Sequence, residues 1–167
     1  SARVGDDIAF GCENLAYPRE EIWRRVQQAQ ELVGSYVDLD FPTEHLSGGQ
    51  KQRLALAGVI AMGAGVVLLD EPTANLDPKG RDEVIAAVDR VCQLTGATLI
   101  VVEHDEDTIA ASDWVVDIGP GAGEHGGQVV HSGSVEDLLA HPDSMTGQYL
   151  SGRREIAVPE LRRPRTP

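Results

Sequence analysis

Three groups of residues in this sequence have types and spacings suited to phosphate chemistry. The first is the turn Ser47-Gly48-Gly49-Gln50, where Ser47 can cap a helix that begins near Gly49. Glycine leaves the backbone N–H groups open to close approach, and a helix N-terminus attracts anions, so the turn suits a phosphate. Taken alone, the same residues are equally typical of a capped surface helix.

The second group is a pair of carboxylates at the end of an apolar run. Val66-Val67-Leu68-Leu69 is short and begins with β-branched residues, as expected of a buried parallel strand. Asp70 then lies where open α/β sheets place ligands, and its oxygens can hold a magnesium ion. Glu71, one residue further, can polarise an attacking water. A single carboxylate here would indicate only a solvated strand end.

The third group is a histidine at the end of the next apolar strand. Leu99-Ile100-Val101-Val102 predicts this second strand, and His104 follows it at the same edge of the sheet as Asp70. A lone histidine at a strand end is more often structural. Together with the other two groups, it could bond a phosphate and position a water.

The order of these groups resembles one protein family. Leu46 to Gln50 resembles the signature loop of ABC-type ATPases, and Val66 to Glu71 resembles their Walker B strand. Ala74 to Asp77 resembles their D-loop, and His104 matches their switch histidine. Four motifs in this order are specific. The resemblance implies ATP and Mg²⁺ as cofactors, with two ABC ATPase domains paired head to tail.

The resemblance also implies a role for each site residue. Asp70 would hold the magnesium ion, Glu71 would activate water, and His104 would sense the γ-phosphate. The signature loop of one domain would close over the ATP held by the other domain. The residues expected to contact the nucleotide or couple the two sites are Ser47, Gly48, Gly49, Gln50 and Asp77.

The elements that must position these residues follow from hydrophobic periodicity. Helices are predicted from Tyr17 to Gly34, from Gly49 to Met62, and from Pro78 to Gly96. Val4 to Asn14 shows no complete strand pattern. The expected fold class is α/β: a P-loop NTPase-like ABC ATPase domain that lacks its N-terminal phosphate-loop portion. It would have a mainly parallel sheet flanked by helices, plus a helical subdomain.

Three parts of the chain are expected. Residues 1–62 would form a helical subdomain with the signature loop, 63–150 a core α/β subdomain with the other motifs, and 151–167 a basic tail or linker. The chain contains no GxxxxGKS or GxxxxGKT, the loop that cradles the β- and γ-phosphates. Because phosphoryl transfer depends on positioning and charge neutralisation, we expect the chain alone to be inactive.

Different parts of the chain resemble two different branches of the family. Residues 1–102 resemble the ATPase of energy-coupling-factor importers, and Gln50 supports this, because the repair branch usually has glutamate there. Residues 103–167 resemble the damage-recognition ATPase of bacterial nucleotide excision repair. The stretches that carry this second resemblance are Glu103 to Thr108, Asp117 to Gly123 and Thr146 to Gly152.

Three functions therefore stay open. The sequence favours the energy-coupling subunit of a vitamin or metal-ion importer, since most catalytic motifs lie in the importer-like part; a membrane transporter subunit would be its partner. The alternative is an ATP-dependent DNA-damage recognition subunit, with DNA and repair proteins as partners. A third possibility is a remnant that folds or binds a partner without hydrolysing ATP.

Composition fits a cytoplasmic protein. The chain has 167 residues, is 41% hydrophobic and carries a net charge of −13. It shows no bilayer-spanning run and no signal-peptide pattern, so we expect a cytoplasmic location, which for an importer subunit includes the inner face of the cell membrane. The negative charge argues against nonspecific nucleic-acid binding by the whole surface.

Overall fold

A computed structural model describes residues 2–121 and 126–157 of the chain. The chain divides into two compact units, Ser1–His104 and Asp105–Pro167. All the site residues predicted from the sequence lie in the first unit. The finer boundaries expected at residues 62 and 150 stay predictions.

The first unit combines helices with one pair of strands. The helices are α1 Val4–Asn14, α2 Arg19–Leu32, α3 Gly48–Ala61 and α4 Pro78–Thr95, with a short 3-10 turn at Thr43–His45. The strands are β1 Val66–Asp70 and β2 Thr98–Val102. They run parallel, with Val66 opposite Thr98 and Asp70 opposite Val102, so both end at the same edge.

Helices α2, α3 and α4 confirm sequence predictions, whereas α1 was not predicted. The residues of α1 gave no complete pattern in the sequence, yet Val4, Ile8 and Cys12 are at most 1% exposed. Their spacing of four residues places them on one face of a helix, and this face packs on α3. Burial raises the pKa of the Cys12 thiol, which agrees with a buried reduced cysteine.

The core of the first unit lies among its helices and on one face of the sheet. Val26 of α2, Ala57 of α3 and Val91 of α4 are fully buried. Val67 of β1 is 2% exposed, whereas Val66 is 61% exposed. The sequence predicted a buried parallel strand here, and the structure buries β1 on one face only. One face packs on helices, and the other exposes apolar side chains.

The second unit contains a second sheet and three short helices in its described residues. Its elements are α5 Glu106–Ala110, β3 Val115–Ile118, β4 Val129–Gly133, α6 Val135–Ala140 and α7 Met145–Leu150. Strands β3 and β4 are antiparallel, so the parallel prediction holds only for the first unit. Residues 119–128 connect these two strands, and residues 122–125 lie outside the described residues. None of the described helices has the length and apolarity needed to span a bilayer.

Candidate functional site

The turn after β1 carries the two predicted carboxylates. Asp70 ends the strand, and Glu71 follows it with φ at 44°, a left-handed conformation that is unfavourable for any residue with a side chain. The Glu71 N–H donates to the carbonyl of Val102 at 2.9 Å, and the Glu71 carbonyl accepts from the N–H of Ala74 at 3.1 Å. The first bond holds the turn against the end of β2, and the second closes the turn on itself.

His104 lies beside Glu71 at this edge of the sheet. Its Nδ1 is 3.7 Å from Glu71 Oε1, and the two side chains are 79% and 54% exposed. The structure therefore brings together the two residues predicted to be catalytic. An exposed pair at this distance interacts weakly, so each group stays available to a ligand.

Asp70 has the properties of a magnesium ligand that shares its ion with a phosphate. Its side chain is exposed, and within the described residues no hydrogen bond or ion pair engages it. Protein sites that bind Mg²⁺ with nucleotides usually supply one or two carboxylates, and water and phosphate oxygens complete the shell. No set of three or more His, Cys, Asp or Glu side chains in the described residues is arranged to hold a metal. A free carboxylate at a strand end fits the shared arrangement.

Glu103 lies at the same edge of the sheet and was not among the site residues predicted from the sequence. Its side chain is only 4% exposed. One carboxylate oxygen accepts from the N–H and the hydroxyl of Thr73, and the other accepts from the N–H of His104 at 2.9 Å. Alternation along β2 places Glu103 on the same face as Leu99 and Val101, which is the more buried face. A charge at that position was the signal available in the sequence.

The signature turn forms the predicted helix cap. Ser47 is the N-cap of α3, and its Oγ accepts from the N–H of Gln50 at 3.3 Å. In return, the Ser47 N–H donates to Gln50 Oε1 at 2.9 Å, which completes a capping box. The Gln50 side chain is thus engaged with its own helix. A glutamate at this position would form the same box.

Asp77 caps the neighbouring helix and brings the D-loop to the signature turn. Its Oδ1 accepts from the N–H of Gly80 at 3.1 Å, near the start of α4. Gly80 packs closely on Gly49, because a Cβ built on Gly49 would lie 3.1 Å from the Cα of Gly80. A Cβ built on Gly48 would similarly lie 2.9 Å from Leu76. The five residues predicted to contact the nucleotide or couple the two sites therefore lie close together, with Gly49 buried among them.

The chain is similar in sequence to known proteins. The ABC transporter family matches residues 4–74. UvrABC system protein A from Streptomyces avermitilis is 49% identical over 150 residues, which are 89% of this chain and 15% of that protein. The same protein from Micrococcus luteus is 53% identical over 146 residues, which are 86% of this chain and 15% of that protein. The chain thus spans about a seventh of the length of these curated relatives.

Solved structures also resemble the chain, among them the following two. UvrA2 from Deinococcus radiodurans has a TM-score of 0.61 at 41% identity. The match covers 81% of this chain and 17% of the UvrA2 chain. The second is cbiO1 from Clostridium perfringens, part of the ABC transporter complex cbiONQ. Its TM-score is 0.71 at 34% identity, and the match covers 90% of this chain and 58% of the cbiO1 chain. The chain has the fold of the ABC-type ATPases.

The predicted likeness of the chain to both the importer ATPases and the repair ATPases is confirmed. An alignment of 150 residues is longer than the segment 103–167, so the likeness to UvrABC system protein A also includes much of the first part. The likeness to cbiO1 covers 90% of the chain and so extends beyond residues 1–102. Neither likeness is confined to the part of the chain that the sequence analysis assigned to it.

Proposed function

We propose that this chain is part of the ATP-dependent damage-recognition subunit of nucleotide excision repair. The observation that carries the proposal is its 49% identity with UvrABC system protein A over 150 residues. The sequence had favoured an importer subunit partly through Gln50. In the structure Gln50 completes a capping box that glutamate could also complete, so its contacts do not distinguish the two branches.

The residues at the edge of the β1–β2 sheet would act on ATP. Asp70 would hold magnesium, which supplies charge neutralisation at the phosphate oxygens. Glu71 would orient the attacking water and accept its proton. His104, 3.7 Å from Glu71, would donate a hydrogen bond to the γ-phosphate. The loop that cradles the phosphates would come from sequence other than these 167 residues.

The signature turn would act on the nucleotide of a second ABC ATPase domain. Gly48 is exposed at the N-terminus of α3, where free N–H groups and the helix dipole favour an anion. Ser47, Gly49 and Gln50 would complete this surface, and Asp77 would couple the two sites. DNA and other repair proteins would be the further partners, and the location would be cytoplasmic.

Substitution of Glu71 by Gln tests the catalytic assignment. The measurement uses a restored domain, in which the phosphate-loop portion of cbiO1 precedes this chain. Turnover of magnesium-ATP should fall by about 100-fold or more while ATP binding persists, because a general base contributes at least that factor. Glu13→Gln, which makes the same charge change on an exposed part of α1, should leave turnover unaltered. Equal turnover of the Glu71 variant and the unsubstituted domain would contradict the role.

A second experiment separates repair from import. We expect the 167-residue chain, paired with an intact ABC ATPase domain, to be retained on DNA that contains a lesion, with retention falling steeply as salt rises. Capture by the membrane components of cbiONQ, with no DNA retention, would favour the importer instead. The TM-score of 0.71 with cbiO1 keeps this second candidate in the test. Failure of both interactions would favour the inert remnant.

A further inference from the structure

We infer that Glu103 is a positioning residue that holds Glu71 and His104 in their catalytic arrangement. The inference rests on the proposed function, because it assigns Glu103 to the same site. Glu103 would touch neither ATP nor water. Its carboxylate would act through the turn after β1 and through the backbone after β2.

Glu71 requires such support because its backbone is strained. A left-handed φ of 44° persists only where surrounding groups hold it. Pro72 follows and has no N–H, so Thr73 supplies the first backbone donor after Glu71. That donor lies 3.2 Å from Glu103 Oε1, and the Thr73 hydroxyl donates to the same oxygen. Glu103 therefore fixes the turn just beyond the strained residue.

The second carboxylate oxygen fixes the histidine. Glu103 Oε2 accepts from the backbone N–H of His104 at 2.9 Å and lies 3.8 Å from its Nδ1. The imidazole in turn lies 3.7 Å from Glu71 Oε1. One buried side chain thus bonds Thr73, just beyond Glu71, with one oxygen and the backbone of His104 with the other.

Only a carboxylate of this length makes both connections. A buried carboxylate is costly unless donors surround it, and here two N–H groups and one hydroxyl donate to it. Glutamine would place an NH₂ group against the N–H of Thr73 or of His104, and two donors cannot bond each other. Aspartate is one methylene shorter and would reach only one side without a backbone shift. An apolar residue would suit the buried face of β2 but would make neither connection.

NMR of the 167-residue chain without nucleotide tests the inference. In Glu103→Gln, amide hydrogen exchange at Thr73 or His104 should accelerate by about tenfold or more, because a bond to a charged acceptor is lost. Glu71 should also lose the short distance between its amide and α protons that a positive φ produces. Glu13→Gln, on the exposed side of α1, should change neither signal. The inference would be overturned if Glu103→Gln kept the positive φ of Glu71 and the slow amide exchange of both Thr73 and His104.

A second pair of variants keeps the test decisive if Glu103→Gln does not fold. Thr73→Val removes the hydroxyl donor at nearly constant volume, whereas Thr73→Ser keeps it. The valine variant should accelerate exchange near Glu71, and the serine variant should match the unsubstituted chain. Identical exchange in the two variants would contradict the inference.

Turnover in the restored domain distinguishes positioning from simple destabilisation. Glu103→Gln should lower kcat by about tenfold or more with KM for ATP unchanged, since it alters only the arrangement of the groups that act in the transition state. Normal turnover of Glu103→Gln in a domain that Glu71→Gln inactivates would contradict this inference alone. Insensitivity of the domain to Glu71→Gln would contradict the proposed function, and the NMR result would still decide what Glu103 holds.

Discussion

Replacement of Gly49 by alanine should weaken the contact between the signature turn and the D-loop. Gly49 is buried in the first turn of α3 and packs against Gly80 of α4. An added Cβ would lie 3.1 Å from the Gly80 Cα and 3.4 Å from its carbonyl oxygen. Both are backbone atoms that no side-chain rotation can move away. The two helices must therefore separate slightly at this point.

The expected magnitude follows from two opposing terms. Overpacking of a tight contact costs about 1–3 kcal/mol. Alanine recovers about 0.5–1 kcal/mol, since glycine loses more conformational freedom in a helix. The net result should be a loss of about 1 kcal/mol in the free energy of unfolding. Gly58 in the same helix is the matched control, because its nearest neighbour would lie 3.8 Å from a new Cβ. Gly58→Ala should therefore stabilise the first unit by about 0.5–1 kcal/mol.

Urea denaturation measures both effects. Trp23 packs against the core of the first unit, and a Trp114→Phe background removes the tryptophan of the second unit. The fluorescence midpoint should fall for Gly49→Ala and rise for Gly58→Ala, with an unchanged slope m. Shifts in the same direction would refute the argument that contact with Gly80 is what requires glycine at position 49.

Three further predictions concern other contacts. Gln50→Glu should alter the free energy of unfolding by less than about 0.5 kcal/mol in urea denaturation, because the capping box persists; a loss above about 1 kcal/mol would contradict this. Side-chain hydrogen bonds from Arg24 and the next arginine lower the pKa of Glu21 from 4.5 to about 2. The ionised Glu21 therefore stabilises the fold above pH 4.5, and this effect is lost as the pH falls towards 2. In Glu21→Gln the free energy of unfolding should fall less steeply over this pH range, whereas in Glu20→Gln it should fall as in the unsubstituted chain. Asp117→Ala should destabilise the second unit by about 1–3 kcal/mol, because two side-chain hydroxyls lose their acceptor; Trp114 fluorescence in urea would report it, and an unchanged midpoint would count against the contacts.

The proximity of Glu71 and His104 could be predicted, because it depends only on strand order. Asp70 and His104 both follow apolar strands, and parallel strands end at the same edge of a sheet. The register of β1 and β2, with Asp70 opposite Val102, produces this proximity. The helix caps could be predicted for a similar reason, because a serine or aspartate at an N-cap accepts from the N–H three residues ahead.

The missed features depend on contacts between residues far apart in the sequence. Helix α1 begins where Val4 and Gly5 donate their N–H groups to the carbonyls of Phe41 and Leu39, which no local pattern encodes. Glu103 receives its role from Thr73, 30 residues away. The period-2 pattern placed Glu103 on the buried face of β2, but only the folded turn supplies its donors.

The repair-like stretches of the second unit are one structural feature. Asp117 accepts from the hydroxyl of Ser144 at 2.7 Å and from that of Thr146 at 2.8 Å. Ser144 is fully buried and caps α7. The stretch that begins at Asp117 and the stretch that begins at Thr146 are therefore joined in the fold. Their joint occurrence is a single observation in favour of the repair branch.

The connection between Glu103 and Thr73 bears on whether the chain is a composite of two branches. The sequence placed Thr73 in the importer-like part and Glu103 at the start of the repair-like part. The structure joins them through a buried carboxylate that has donors on both sides. A junction between unrelated parts would have had to supply a buried charge and its donors together, because a buried carboxylate without them is strongly destabilising. Both residues lie in the first unit, so the contact favours one coherent first unit up to His104, in which the edge that holds Glu71 and His104 forms as a whole.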